Sequence, residues 1–401
     1  MAWWKLKDAL IPFVTIALIL IVSFAIIAYG RGYRLDVNKT QLRATGLLSV
    51  TSDPIGAQVY VDGKLKTATN TSLALSPGRY SIRITKEGYL PWEKPVGVLG
   101  EVVSRADAFL FPTNPSLSPL TALGVVQPAL SPDGTKIAYS VPAKHLDGNA
   151  NKAGIWVLEL AEGPLGRNRN PVQVATIDPN FDVTAATLVW SPDTTELLLG
   201  SPTKQFRLYR VGRLDSFQDA NLTAQSLVGQ WQTERSGKER QKLTAFAQPI
   251  INMATTSAKI ISFSPDETKI FYEATASATI PTVLTPPLLG TNTTPETRTI
   301  QPGKLYVYDS REDRNYFLLD KKELPQKNTP TWLPTNKHLI LTLPEKIDVM
   351  EYDRTNWITV YSGPFVQGFV APWPNGSRLV IVTTLNQTAS SLPNLYTVNL
   401  R

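Results

Sequence analysis

The stretch Ser131-Pro132-Asp133-Gly134, with the strand-like run Ile137-Ala138-Tyr139 after it, is the first of five copies of one pattern. Proline presets φ near −65°, Asp bonds its own backbone and Gly accepts positive φ, so each copy predicts a tight turn. Aliphatic and aromatic runs beside the turns predict paired strands. The other copies are Ser191-Pro192-Asp193, Ser264-Pro265-Asp266, Leu333-Pro334-Thr335-Asn336 and Trp373-Pro374-Asn375-Gly376.

The spacing of the copies predicts the architecture of the last two-thirds of the chain. A third apolar run follows each hairpin, and a repeat of three or four strands is a propeller blade. The motif prolines lie 60, 73, 69 and 40 residues apart, whereas a blade needs about 40–50 residues. The surplus predicts insertions at 215–256, where Arg235 to Met253 is helix-like, and at 274–303. A β-propeller of five or six blades is therefore expected over 113–401.

The end of the chain predicts how the ring closes. The fifth copy supplies strands at Leu379–Thr383 and Leu395–Val398, and Arg401 follows shortly after. Propellers remove the exposed edge of such a blade by borrowing a strand from the beginning of the domain. Residues Ser116 to Val126 stand just before the first motif and are predicted to supply that strand.

The repeats also carry a family resemblance. The Ser-Pro-Asp-Gly turn, the strand after it and the run Leu305-Tyr306-Val307-Tyr308-Asp309 resemble the repeats of TolB-like, WD-repeat-related β-propellers, over roughly 115–401. The last two copies depart from that pattern, with Thr335-Asn336 and Asn375 where Asp is usual. The resemblance implies the fold and indicates little about catalytic or binding chemistry.

Residues 45–112 predict a small antiparallel β-sandwich. Four motifs there resemble the PEGA domain in order and spacing: Pro54-Ile55-Gly56-Ala57, Val59-Tyr60-Val61-Asp62-Gly63, Ser76-Pro77-Gly78-Arg79-Tyr80 and Lys86-Glu87-Gly88-Tyr89. Thr67-Ala68-Thr69-Asn70 departs from the Gly-x-Thr-Pro turn usual in that family. The resemblance implies a non-catalytic spacer or adhesion module, of a kind associated with surface and cell-envelope proteins.

Residues 1–44 are predicted to anchor the protein in a membrane. Ile11 to Tyr29 carries no charge, and its length corresponds to about 28 Å of helix, close to a hydrocarbon core of roughly 30 Å. A signal peptide cleaved near Ala28-Tyr29-Gly30 is the alternative, although its apolar region usually runs only about 7–15 residues. Lysines before the helix and basic residues after it leave the orientation open by charge. A signal-like helix and the two resemblances favour a single pass, with a cytoplasmic N-terminus and the bulk of the chain extracytoplasmic.

Composition leaves few routes to catalysis. The chain has no cysteine and two histidines, which excludes thiol chemistry and a multi-histidine metal site. No nucleophile elbow, zinc-protease motif or phosphate-binding glycine loop is present. Asp133, Asp193 and Asp266 are predicted turn formers. We therefore expect no catalytic residue, no metal site and no cofactor. Nucleic acid is not an expected partner either, because the net charge of +7 is not concentrated in a basic stripe.

The candidate partner site at this stage is an apolar, proline-stiffened stretch of the second insertion. Its predicted docking residues are Ile280, Val283, Leu284, Leu288 and Leu289. The alternative is that this stretch packs on the side wall of the propeller. Six aromatic residues form a second candidate site, for stacking on sugars. The alternative is that they fill the core. They are Tyr306, Tyr308, Tyr316, Trp332, Trp357 and Trp373.

Three functions follow from these expectations. The favoured one is an envelope binding or scaffold protein whose propeller presents a surface to a protein or glycan. A surface-layer assembly subunit is the second. The third is a glycan-acting hydrolase or lyase with a carboxylate pair in the propeller funnel.

Overall fold

The computed structural model describes residues 2–30, 33–36, 41–143, 146, 150–162, 169–325, 328–366, 368–385 and 392–401. The chain forms two compact units. Unit 1 comprises Met1–Leu110 together with Leu284–Pro295, and unit 2 comprises Phe111–Val283 together with Glu296–Arg401. A segment of the predicted propeller insertion therefore belongs to unit 1.

Unit 1 begins with helix α1 (Ala2–Gly30), followed by the antiparallel pair β1 (Tyr33–Asp36) and β2 (Gln41–Ala44). Within the described residues, no helix is both long enough and apolar enough to cross a membrane, so the transmembrane helix predicted at Ile11–Tyr29 is not supported. The described side chains of α1 are those of residues 12–27 and Gly30, and the two ends of the predicted span lie outside them.

Seven further strands of unit 1 form two sheets, in the orders β5-β4-β7-β8 and β6-β3-β9. Every strand except β5 directs one side into a common core that includes Leu48, Ile82 and Trp92, as expected for a sandwich. The strands are β3 (Gly46–Asp53), β4 (Gln58–Val61), β5 (Lys64–Ala68), β6 (Thr71–Leu75), β7 (Gly78–Thr85), β8 (Trp92–Val98) and β9 (Val103–Phe109).

One pairing in this sandwich contradicts the antiparallel prediction. Strands β3 and β9 run parallel, from Leu47 opposite Val103 to Asp53 opposite Phe109. Hairpin signals such as Asp62-Gly63, whose φ angles are 49° and 77°, report only strands joined by a short turn. β3 and β9 are joined through the other strands of the sandwich, a long connection of the kind that parallel pairing requires.

Unit 2 is built almost entirely of short strands. Its first strands are β10 (Leu117–Pro119), β11 (Val126–Leu130), β12 (Lys136–Val141), β13 (Gly154–Glu159), β14 (Val172–Thr176), β15 (Thr187–Trp190), β16 (Glu196–Gly200), β17 (Phe206–Arg210), β18 (Phe217–Asp219), β19 (Ala258–Phe263) and β20 (Lys269–Ala274). The remainder are β21 (Ala278–Thr279), β22 (Thr299–Ile300), β23 (Lys304–Asp309), β24 (Arg314–Asp320), β25 (Thr331–Trp332), β26 (His338–Leu343), β27 (Lys346–Glu351), β28 (Ile358–Ser362), β29 (Val370–Pro372), β30 (Arg378–Thr383) and β31 (Asn394–Asn399).

Twenty of these strands form five four-stranded antiparallel sheets, which are the blades of a propeller, and β21 and β22 form a separate two-stranded sheet. Blades 1 to 4 have the orders β11-β12-β13-β14, β15-β16-β17-β18, β19-β20-β23-β24 and β25-β26-β27-β28. Blade 5 has the order β10-β31-β30-β29, with Leu117 opposite Val398. The borrowed strand predicted within Ser116–Val126 is therefore present. Within the described residues the number of blades is five rather than six.

Apolar side chains of neighbouring blades share their clusters. Tyr139 of blade 1 packs with Trp373 and Val380 of blade 5. Trp190 of blade 2 packs with Ile155 of blade 1, and its indole N–H donates to the Ala129 carbonyl at 3.0 Å. The core of unit 2 therefore lies between the blades, which is why each strand after a turn is apolar on both faces.

The first insertion forms helices α2 (Ala224–Leu243) and α3 (Gln248–Thr256). The prediction of a helix from Arg235 to Met253 is in part wrong. Helix α2 begins before Arg235, and the helical conformation is interrupted between Leu243 and Gln248. Pro249 sits in the first turn of α3, where proline is tolerated although it would break a continuous helix. Trp231 of α2 packs on blade 2, and Ile250 of α3 packs on blade 3.

Candidate functional site

The first three of the five motif turns share one hydrogen-bond arrangement. In the first, Ser131 Oγ donates to Asp133 Oδ1 at 2.5 Å, and Thr135 Oγ1 donates to Asp133 Oδ2 at 2.7 Å. The Lys136 amide in turn donates to Ser131 Oγ. Pro132 occupies the second position and Gly134 takes φ +71°. The Asp side chain thus closes the turn by bonding residues on both sides of it.

The next two copies repeat these contacts, and the last two replace them. Asp193 accepts from Ser191 and Thr195 next to Pro192, and Asp266 accepts from Ser264 and Thr268 next to Pro265. After Pro334, Thr335 Oγ1 bonds His338 Nδ1 at 2.8 Å. After Pro374, Asn375 Oδ1 accepts from the amide and the hydroxyl of Ser377. The side chains of Asp133, Asp193, Asp266, Thr335 and Asn375 are therefore engaged in their own turns. Asn336 Oδ1 of the fourth turn is buried and has no hydrogen-bond partner among the described residues.

The ionisation of the turn carboxylates weighs against an acid–base role. Hydrogen bonds from Ser191 and Thr195 lower the pKa of Asp193. Burial opposes the same effect at Asp133, yet hydrogen bonds from Ser131 and Thr135 still lower the pKa of that carboxyl. A glycosidase acid needs a raised pKa, so these groups are acceptors and poor proton donors.

Other buried carboxylates are also satisfied by neighbouring donors. Asp348 accepts from Lys346 Nζ at 2.9 Å, from Trp357 Nε1 at 2.9 Å and from Thr359 Oγ1 at 2.7 Å. Across the described part of the chain, no group of three or more His, Cys, Asp or Glu residues is arranged to hold a metal ion.

The aromatic residues considered for sugar stacking lie mostly inside the blades. Trp357 is the partly exposed one, and its indole N–H is taken up by Asp348. The other five are buried, so they fill the core and offer no open stacking face: Tyr306, Tyr308, Tyr316, Trp332 and Trp373.

The predicted docking stretch is divided between the two units. Ile280 is buried in the apolar cluster of blade 3 and Val283 packs against that cluster, while the Val283 amide donates to Asp313 Oδ2 at 2.7 Å. Leu284, Leu288 and Leu289 belong to unit 1. Leu288 and Leu289 are 51% and 72% exposed. Two of the five predicted docking residues therefore belong to unit 2 and three to unit 1.

A pocket of about 240 Å³ lies at the connection between blades 1 and 2. It is lined by Ala143, Ile177, Asp178, Pro179, Phe181, Asp182, Val183 and Thr184. Asp182 Oδ1 accepts from the amides of Thr184 and Ala185. Its volume is below the roughly 300–1,000 Å³ typical of small-molecule sites.

An arginine stacked between two rings lies next to this pocket. Arg207 Cζ lies 4.6 Å from the ring centre of Phe181 and 4.4 Å from that of Phe217. Its Nη1 bonds Asp178 Oδ2 at 2.7 Å. A backbone hydrogen bond from Asn180 and then the Arg207 contact lower the pKa of Asp178. The guanidinium thus contacts two aromatic rings and one carboxylate, and these contacts fix its position.

Three exposed apolar residues lie on the two chain segments that meet at Arg207, and we call them the rim patch: Ile177, Leu214 and Phe217, which are 41%, 57% and 43% exposed. They are brought together because the Thr176 amide and hydroxyl both bond Asp215 at 2.8 Å. Phe217 lies on the Arg207 guanidinium. Sequence reasoning missed this patch because its members come from two separate segments, the connection between β14 and β15 and the hairpin of β17 and β18.

Comparisons with known proteins give one family match and several remote structural similarities. The family model of the PEGA domain matches residues 45–110. Among solved structures, TolB from Agrobacterium tumefaciens covers 68% of this chain and 78% of its own, at 14% identity and a TM-score of 0.22. TolB from Acinetobacter baumannii covers 80% and 60%, at 11% identity and a TM-score of 0.22. A chain of the Mitotic Checkpoint Complex covers 74% and 98%, at 10% identity and a TM-score of 0.31.

No curated protein matches the chain. The similarities to solved structures are too low to support an argument, so the propeller rests on the sheets and their closure described above. Residues 45–110 match the PEGA domain, and the chain carries this domain ahead of a five-bladed β-propeller.

Proposed function

We propose that this chain is an envelope-associated binding or scaffold protein whose propeller binds a protein partner through the rim patch. The observation that carries the proposal is the group of three exposed apolar residues on the segments that meet at Arg207, with Phe217 in contact with that arginine. Aromatic and arginine side chains are enriched among the residues that dominate protein–protein binding energy. Isolated exposed apolar residues are ordinary, whereas a group of them next to a pocket indicates an interaction site.

The chemistry of the patch favours a protein over a glycan. Sugar rings stack on open aromatic faces among several polar side chains, but one face of Phe217 is already covered by Arg207. Ile177 and Leu214 add aliphatic surface, which gains more from an apolar partner than from a sugar. Binding without turnover fits the lowered pKa of Asp178, since a carboxyl of this kind is a poor general acid.

The envelope location rests on other features. PEGA-like domains are associated with envelope proteins, and residues 45–110 match that family. Attachment through Ile11–Tyr29, with a cytoplasmic N-terminus and the propeller outside, remains a proposal. It is supported by the exposed apolar side chains along α1, such as Phe13, Leu20 and Ile27.

Photo-cross-linking in intact cells tests the function. A photo-reactive phenylalanine analogue replaces Phe217 in the full chain, and the control carries the same analogue at Leu65, which is also exposed but belongs to unit 1. We expect a discrete protein adduct at position 217 that is lost when Leu214 is changed to Ser. An adduct with a second copy of this chain would instead favour the assembly-subunit alternative. Equal adducts at both positions, or none at 217, would refute the proposal.

A further inference from the structure

The second insertion leaves and re-enters blade 3 through a network of polar contacts. On the outgoing side, the Val283 amide donates to Asp313 Oδ2. On the returning side, the Thr297 amide donates to the Asn315 carbonyl at 2.7 Å. Arg298 joins the two sides, because its Nη1 donates to the Pro281 carbonyl at 3.0 Å and contacts Asp313 Oδ1 at 3.4 Å. Both ends of the excursion are therefore fixed at the hairpin between β23 and β24.

Between these ends, residues Leu284–Pro295 pack within unit 1 rather than within unit 2. Thr293 Oγ1 donates to the Pro95 carbonyl at 2.8 Å, across 198 residues of sequence. Arg79 Nη2 donates to the Thr293 carbonyl at 3.2 Å, across 214 residues. Because Arg79 lies on β7 and Pro95 on β8, Thr293 is bonded to two neighbouring strands of one sheet.

Two glycines mark where this segment approaches the sandwich most closely. A Cβ atom on Gly97 would lie 2.7 Å from Thr293 Cγ2. A Cβ atom on Gly290 would lie 2.8 Å from Val102 Cγ1, and Gly290 also has a φ of +72°. No side chain larger than hydrogen fits at either position without a shift. One glycine belongs to each side of the contact, so both surfaces are shaped for it.

The strand whose Pro95 carbonyl accepts from Thr293 is an edge strand. β8 stands at the end of its sheet, and the exposed edge of a sheet invites pairing with other chains. Pro95 removes one donor from that edge, and its carbonyl is the group that Thr293 occupies.

We infer that Leu284–Pro295 is a strap, a structural element of the PEGA-like unit that blade 3 supplies from far along the chain. Its removal would leave the Pro95 carbonyl on the β8 edge without the hydrogen bond from Thr293, so the local stability of this sheet depends on an insertion in the propeller. The strap also holds Leu288 and Leu289 at the surface of unit 1. The apolar stretch predicted as a docking loop thus has an intramolecular role.

Hydrogen–deuterium exchange of the intact protein tests the strap. Gly97→Ala places a methyl group against Thr293, and we expect amides of β8 and of Leu284–Pro295 to exchange about tenfold faster as the contact opens locally. Gly78→Ala is the matched control, because it lies on the adjacent strand and its nearest neighbours, atoms of Tyr80, are 3.6 Å away or more. It should leave exchange in β8 unchanged.

A second variant separates the strap from a general strand effect. Thr293→Ala removes Cγ2 and Oγ1, so Gly97→Ala should add little acceleration in that background, and the two changes should be far from additive. Thr293→Ala also introduces no new bulk, so it reports on the contact even if Gly97→Ala prevents folding. Equal effects of Gly97→Ala and Gly78→Ala, or strict additivity with Thr293→Ala, or no change in β8 with Thr293→Ala alone, would overturn the strap.

Discussion

Arg207 and Asp178 form an ion pair of 2.7 Å whose guanidinium is enclosed by the rings of Phe181 and Phe217. The pair joins the middle of blade 2 to the connection that leads into it from blade 1. The guanidinium also contacts Phe217, which lies on the same hairpin as Leu214. The shape of the rim patch therefore depends on one arginine that sequence patterning did not single out.

Replacing Arg207 should change both stability and binding. Arg207→Ala removes the ion pair and both ring contacts, and we expect a loss of about 1–3 kcal/mol in unfolding free energy. Arg207→Lys keeps the charge but lacks the planar group that stacks, so a smaller loss is expected. Urea denaturation of the two purified variants measures both losses of stability. Equal stability of Arg207→Ala and the unchanged protein would contradict the account.

The turn carboxylates should contribute to stability one by one. Asp193→Ala removes the acceptor for Ser191 and Thr195, and the expected cost is about 0.5–2 kcal/mol, as for loss of a helix-capping side chain. Asp193→Asn retains one acceptor oxygen and should cost less. Thermal unfolding compares them. A larger loss for Asn than for Ala would show that the turn is held differently.

Acid should lower the stability of unit 2 by protonating the same turn carboxylates. Hydrogen bonds lower the pKa values of Asp133, Asp193 and Asp266 in the folded protein. Their contribution is therefore fully present above the unfolded value, near 3.9, and is lost as the pH falls through the lower folded values. Urea unfolding between pH 5 and pH 2 measures the slope. The triple Asp→Asn variant should show a shallower decline, and an identical slope would refute the assignment.

The borrowed strand should protect the last blade. β10 pairs with β31 from Leu117 to Pro119, and Thr121 Oγ1 donates to Asn394 Oδ1 at 3.1 Å. Deleting residues 113–126 should expose the edge at Leu395–Val398 and cause aggregation. Light scattering of the truncated and full chains measures this. A monomeric truncated protein with an unchanged melting temperature would rule out closure by this strand.

Particular residues show which parts of the structure could be predicted from the sequence. Pro132 and Asp133 predicted the turns because turn chemistry is local, and repetition of that turn predicted the propeller. The parallel pairing of β3 with β9 was missed because no short-range signal encodes it. Thr293 on Pro95 is a contact of the same kind, since 198 residues separate the partners. The rim patch likewise needed two distant segments to be assembled in space before Phe217 could be distinguished from any other exposed aromatic residue.

The membrane attachment proposed at Ile11–Tyr29 is checked by intact-mass analysis of protein from the native envelope. We expect a chain that retains its N-terminus and fractionates with membranes, because the apolar stretch exceeds the usual length of a signal-peptide core. A mature chain that begins near Arg31 would establish cleavage instead.

The most direct measurement of the central claim is the affinity of the partner cross-linked at position 217 for four purified proteins. These are the unchanged chain, Phe217→Ala, Leu214→Ser and the control Leu65→Ser. The account predicts at least about tenfold weaker binding for the two rim-patch variants, the scale of an interface residue that costs more than 1 kcal/mol on truncation. The control should bind as the unchanged chain does. Unaltered affinity of Phe217→Ala and Leu214→Ser, with folding intact, would contradict the claim that the rim patch is the binding surface.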